Sequence, residues 1–326
     1  MKTRAGTRKR NRRGHSWARP GFSPIFAHMR LVLLITLIVG SSPAVAQSSA
    51  TLLHDRVATR IAQVPGAFVG LLYRRVGSAD RIAINADTLF HAASTMKVPV
   101  MIEFFRRVEA GGLRADQPVL LVNQFGSIVD GSPYALDPVD DSDSATYKHV
   151  GQRVPARELV ERMITRSSNL ATNAVIALLG ADVVTRTARA LGAPTISVLR
   201  GVEDGKAFQR GLNNMTSARD LAVLLEAIEM RRAASFASCD TMLGILRRQE
   251  FNDQIPAGLP PGTIVAHKTG SITGVLHDAA IVYPTGESPY LLVVLTRGIP
   301  SEKVASALIA DISRMVWEDA TARIHH

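Results

Sequence analysis

A chain of 326 residues that is 46% hydrophobic and 20% charged has enough apolar material for a large buried core, which excludes disorder over most of its length. A formal net charge of +10 would suit a nucleic-acid binder, but Lys2, Arg4, Arg8, Lys9, Arg10, Arg12, Arg13, Arg19 and Arg30 are opposed by no acidic residue in that stretch. The remainder carries about +1, so no nucleic-acid partner is expected.

After Arg30 the apolar run Leu31 to Val39 passes through Gly40, Ser41, Ser42 and Pro43 to Ala44-Val45-Ala46 and Gln47. This is the pattern of a secretory signal with an A-x-A cleavage site. The run is too short to span a bilayer comfortably. Met29-Arg30 would itself begin a signal peptide of normal length. Export to the periplasm or the exterior, with cleavage after Ala46, is the expectation, and the membrane is met only through that signal.

Residues 51–64 place apolar side chains at helical spacing up to Pro65-Gly66. Residues 67–75 and 81–85 read as strands of a hairpin turning at Gly77-Ser78. Residues 156–166 and 170–179 read as two helices around Ser167-Ser168-Asn169, the second closed by Gly180. Thr216, Ser217 and Asp220 are candidate caps for a helix running to about Met230. Residues 263–269, 277–283 and 290–296 read as three more strands, followed by a helix from Ser301 to about Ala320. The aspartate-rich segment 122–155 is unperiodic and reads as a solvated loop. The single cysteine, Cys239, excludes an intrachain disulfide and reads as a small buried helix residue. No HExxH or paired histidine spacing occurs, so neither a metal nor another cofactor is implied. The pattern is α/β (α+β): residues 47–93 and about 240–326 form a sheet with flanking helices, and about 94–239 an inserted all-α domain.

Three elements carry chemistry. Phe90-His91-Ala92-Ala93-Ser94-Thr95-Met96-Lys97 enters an apolar helix, and Ser94 and Lys97, three apart, share a helix face. A serine hydroxyl needs an adjacent base, and a lysine held in a dry cleft has a lowered pKa and can serve. In the Ser167-Ser168-Asn169 turn a hydroxyl can relay a proton and an amide can hold a substrate carbonyl; the same residues would also suit a plain capping turn. Lys268-Thr269-Gly270-Ser271 ends a strand, where glycine permits close backbone approach and lysine and threonine can bind a carboxylate.

Together these elements resemble the penicillin-recognising serine hydrolases, and F-x-x-A-S-x-x-K followed by M-I-T-x-S-x-N is similar to class A β-lactamases in particular. The resemblance implies a five-stranded antiparallel sheet, an all-α domain, and an active site between them. It implies Ser94 as acylated nucleophile, Lys97 as its base or relay, Ser167 as proton shuttle and Asn169 as substrate clamp. Lys268 and Thr269 would bind the substrate carboxylate, with Gly270 allowing close approach and the N–H groups of Ser94 and Ser271 forming an oxyanion hole. Glu203 stands where the family's deacylating base is expected, but the following proline is Asp204 and the water-holding asparagine is Ala207. A competing alignment puts Gln209 at the catalytic position and restores Leu212-Asn213. The expected activity is β-lactam hydrolysis by a monomer through an acyl-enzyme. The alternatives are a D-alanyl-D-alanine peptidase or esterase, or a cell-wall-peptide binder that acylates and stalls.

Overall fold

The computed structural model describes residues 43–322. The basic leader and the apolar run of the expected signal lie outside the described residues. Helix α1 (Pro43–Ala62) begins earlier than periodicity predicts and carries the Ala46-Gln47 junction.

The central sheet is built from both ends of the described chain. Strands β1 (Phe68–Arg75), β2 (Ile82–Ile84), β3 (Ile264–Ile272), β4 (Val275–Tyr283) and β5 (Tyr290–Arg297) pair antiparallel in the order β2-β1-β5-β4-β3. The first hairpin pairs Leu72 with Ala83, and Gly77 takes a φ of +76° in its turn. The central strands are apolar almost without alternation because helices cover both faces. Leu71, Tyr73, Ala280, Val282, Leu292 and Val294 pack against α1 and the C-terminal helix α9 (Glu302–Thr321). Their neighbours Leu72, Ala279, Ile281, Leu291, Val293 and Leu295 point to the opposite face.

That second face meets the larger helical layer: α2 (Lys97–Glu109), α3 (Ala156–Thr165), α4 (Asn169–Leu179), α5 (Ala181–Ala190), the single turn α6 (Gly205–Gln209), α7 (Ala218–Glu229) and α8 (Phe236–Leu246). Every residue of α2 from Lys97 to Phe105 is buried, so it is a core helix rather than an amphipathic one. Gly180 closes α4 with a positive φ, and Cys239 is fully buried in α8, both as the sequence predicts.

Two expectations are corrected. Segment 122–155 is largely exposed, irregular chain as read, but it also forms a short ladder and a 3-10 turn, contributes a strand that pairs with 118–120, and buries its Asp141 and Asp143. Of the three candidate caps of α7, Ser217 caps it through the Asp220 N–H, Thr216 instead pairs with Phe90, and the Asp220 carboxylate holds Thr195 and Ile196.

Candidate active site

Ser94 lies in a 3-10 turn, Ala93–Met96, that runs directly into α2. Residues three apart eclipse in such a turn, which brings Ser94 and Lys97 to one side. Ala93 takes a φ of +44°. The edge strand β3 runs past this turn so closely that a Cβ on Gly270 would lie 3.0 Å from the Ser94 nitrogen and 3.2 Å from Ala93 Cβ. Gly270 is therefore required for the approach, and β3, at the edge of the sheet, has a row of backbone groups with no neighbouring strand among the described residues.

Lys97 is fully buried. Its Nζ donates to Ser167 O at 2.6 Å, Ser167 Oγ at 3.1 Å and Asn169 Oδ1 at 3.0 Å. Among the described residues no hydrogen bond joins Nζ to Ser94 Oγ, so the lysine is held by the second motif, 70 residues away in sequence. Burial brings its pKa down to about 7, against the opposing pull of the Asp141 and Glu203 carboxylates.

The Ser167-Ser168-Asn169 turn both caps a helix and turns polar side chains to the buried lysines. Ser168 is the N-cap of α4, its hydroxyl accepting the Ala171 N–H. Ser167, with φ +56°, turns its hydroxyl to both lysines: Lys268 Nζ also donates to Ser167 Oγ at 3.1 Å and to Thr269 O at 2.9 Å. Burial and the facing Lys97 pull Lys268 well below the usual lysine range. Ser167 Oγ thus accepts from two amines while keeping its own proton to donate, as a proton relay requires.

Asn169 links the lysine to the acidic side of the cleft, its Nδ2 donating to Glu203 Oε1 at 2.6 Å. Glu203 stays solvent-accessible, yet partial desolvation pushes its carboxyl above the usual range; the Asn169 hydrogen bond opposes this, and Asp141 and Asp140 add to it. Its φ is +62°, and both flanks are pinned. Asn173 accepts the Val202 N–H and donates to Val202 O. Asp204 caps α6 and accepts from Ser127 Oγ and the Ile128 N–H. Ala207 is buried inside α6, and Gln209 is exposed at its end. Ser94, Asn169, Val202, Glu203, Phe208 and Ser271 line one cleft of about 340 Å³, with Thr269 nearly buried in the strand beside it.

Sequence reasoning missed Asp141, the anchor behind this arrangement. Its Oδ2 accepts the N–H groups of Asn169 and Leu170, both at 2.9 Å, and the Tyr147 hydroxyl at 3.1 Å. Its Oδ1 accepts the Asp143 N–H. A carboxylate at the N-terminus of α4 is favoured by the exposed N–H groups and the helix dipole. Nothing in the run of aspartates marks Asp141 as the buried one.

A model of the β-lactamase enzyme family matches residues 52–320. The chain is 26% identical over 280 residues to a β-lactamase of Streptomyces albus G, covering 81% of this chain and 83% of that one. The structure of PBP-A matches with a TM-score of 0.71 at 30% identity over 82% of this chain and 96% of that one. A β-lactamase from Sphaerobacter thermophilus matches with a TM-score of 0.67 at 28% identity, over 82% and 97%. With the sheet order, the serine-lysine turn and its two partner motifs in one cleft, a family match over nearly all the described residues settles the kinship: this chain belongs to the β-lactamase enzyme family, as a serine hydrolase of the class A type.

Proposed function

We propose that this hydrolase is exported, and that it opens β-lactams by forming an ester on Ser94. The observation that carries the reading is the continuous path Lys268–Ser167–Lys97–Asn169–Glu203, which starts at the buried lysines and at Asn169 and Glu203 reaches the cleft that Ser94 lines. A Lys97 amine with a pKa near 7 is available as the free base at neutral pH. It takes the Ser94 proton, Oγ bonds to the lactam carbonyl carbon, and the negative charge on the carbonyl oxygen faces the Ser94 and Ser271 N–H groups. Collapse breaks the C–N bond, and the ring nitrogen receives its proton through Ser167 Oγ. Lys268 and Thr269 hold the substrate carboxylate. Water then attacks the ester carbonyl while Glu203 accepts its proton, the C–O bond to Ser94 breaks, and the proton passes back to Ser94 Oγ.

A second reading has its own support: a penicillin-binding protein that acylates and stalls. Buried Ala207 offers only a methyl group, with no polar atom to position water, and the structure of a single-substitution variant of PBP-A in its acyl-enzyme complex with penicillin G matches this chain with a TM-score of 0.70. Ala44-Val45-Ala46 supports export and cleavage after Ala46, which N-terminal sequencing of the secreted protein checks.

Mass spectrometry after incubation with a penicillin tests the acyl-enzyme. Ser94→Ala is expected to abolish labelling, whereas Ser167→Ala and Lys268→Ala slow it and leave Ser94 as the labelled site. Label on another serine overturns the assignment.

A further inference from the structure

The backbone that leads into Ser94 is held by three hydrogen bonds from outside the turn's own ladder. His277, fully buried on β4, places Nε2 2.9 Å from His91 O. The Ala92 N–H donates to Asn214 O at 2.8 Å. The Ala93 N–H donates to His91 Nδ1 at 3.0 Å. The third bond is local and unusual: a side-chain acceptor at one position takes the N–H two residues on, which is the geometry of an Asx turn made with an imidazole. It fixes Ala93 in its left-handed conformation, and Ala93 delivers the next N–H, that of Ser94, to the position beside Gly270.

We propose that His91 is a positioning residue for the oxyanion pocket, its Nδ1 holding the Ala93 N–H so that the Ser94 N–H points at developing charge. Among the described residues no hydrogen bond joins its ring to Ser94 Oγ; the ring forms part of the cleft wall and packs edge-on against Phe208 of α6, centroids 6.3 Å apart. An acceptor at Nδ1 requires the neutral tautomer with the proton on Nε2. Burial first, and the Arg200 guanidinium second, lower the His91 pKa and favour that form. The inference rests on Ser94 as nucleophile, as proposed above, but not on β-lactams as its substrate.

A boronic acid separates the two. With phenylboronic acid, Ser94 Oγ forms an O–B bond, the hydroxyl proton leaves to a base, and the tetrahedral boron carries an oxygen into the pocket under test. Affinity is measured by calorimetry for the protein and for His91→Ala, His91→Gln and His91→Asn, with melting temperatures alongside. Asparagine restores the acceptor, since its Oδ1 makes the same turn, whereas glutamine puts its oxygen one atom too far. Loss of one such bond is expected to weaken boronate binding about tenfold in the alanine and glutamine variants. The asparagine variant should bind nearer to the unsubstituted protein than to the alanine variant, even where the melting temperatures of the two variants agree. Asparagine as weak as alanine, alanine as tight as the original, or no Ser94 adduct in the unsubstituted protein overturns the proposal. A protein that shows the expected boronate series but is not acylated by penicillin sinks the β-lactam reading alone.

Discussion

Removing the Asp141 carboxylate tests the electrostatics of the cleft most directly, because this side chain acts on the site without entering it. Asp141→Ala leaves the N–H groups of Asn169, Leu170 and Asp143 and the Tyr147 hydroxyl without their acceptor. One unsatisfied buried donor costs about 1–3 kcal/mol. Water entering the vacated space recovers part of this, so a net loss of about 3 kcal/mol is expected, equivalent to roughly 4–5 °C in melting temperature for a chain of this size. Asp141→Asn keeps one oxygen for the α4 N–H groups and turns an amide towards Asp143, so roughly half that loss is expected. Both substitutions delete a negative charge that holds the Lys97 proton on. An opposite charge nearby shifts a pKa on the order of one unit, so a fall of Lys97 by about that much is expected. A Lys97 with lower pKa is neutral at lower pH, so the acid limb of penicillin acylation, expected near pH 7 in the unsubstituted protein because burial lowers Lys97 to about 7, should move towards acid. Stopped-flow acylation across pH 5–9 reads it for the folded asparagine variant. A limb that stays in place or moves towards alkali refutes Lys97 as the base under Asp141 control.

Glu203→Gln is expected to keep a burst of about one product per enzyme and nearly eliminate the later steady rate, because glutamine keeps the shape but accepts no proton; an unchanged steady rate places the base elsewhere. With the Glu203 carboxyl raised by desolvation, the deacylation limb of the unsubstituted protein should fall above the ordinary glutamate range, which single-turnover measurements against pH check. Gly201→Ala puts a Cβ 2.4 Å from Asn173 Oδ1, the acceptor that holds Val202, so about 1–3 kcal/mol of stability and most of the steady rate should be lost while acylation stays near its original value. Gly270→Ala meets Ser94 N at 3.0 Å and Thr95 N at 3.2 Å, forcing strand and turn apart by a few tenths of an ångström; acylation should slow about tenfold with little change in melting temperature.

The strands were legible because each is a compact apolar run bounded by turn residues, and the predicted ranges 67–75 and 290–296 lie within a residue of Phe68–Arg75 and Tyr290–Arg297. The three motifs were legible because each serves its own stretch of backbone as well as the cleft: Ser168 caps α4, and Gly270 has no room for a side chain. What joins them was not. Nothing local in the sequence shows that Lys97 bonds the Ser167 turn, or that Asn169 ties Lys97 to Glu203, since these contacts depend on how distant elements pack. Asp141 escaped, and Asp220 was read as a cap of its own helix, for the same reason. A carboxylate that satisfies backbone donors in another segment has the sequence appearance of a surface residue, and only the fold brings the donors to it.

The distribution of backbone strain bears on how the cleft works. Ala93, Ser167 and Glu203 are three of the five non-glycine residues with positive φ among the described residues. Each such residue costs on the order of 1 kcal/mol or more and persists only where its surroundings over-determine it. The determinants here are visible. Ala93 is held through its N–H by His91, Ser167 through its carbonyl by Lys97, and Glu203 between the clamps of Asn173 and Asp204. In all three the strain turns an amide or a side chain towards the cleft instead of towards the core. Lys97 is both a restraint on the Ser167 backbone and the proposed base, so a proton leaving its amine weakens the hydrogen bond to Ser167 O. Acylation chemistry and the conformation of the proton relay are coupled at that one nitrogen, and substitutions of Ser167 and Lys97 should therefore depart from additivity in their effects on acylation.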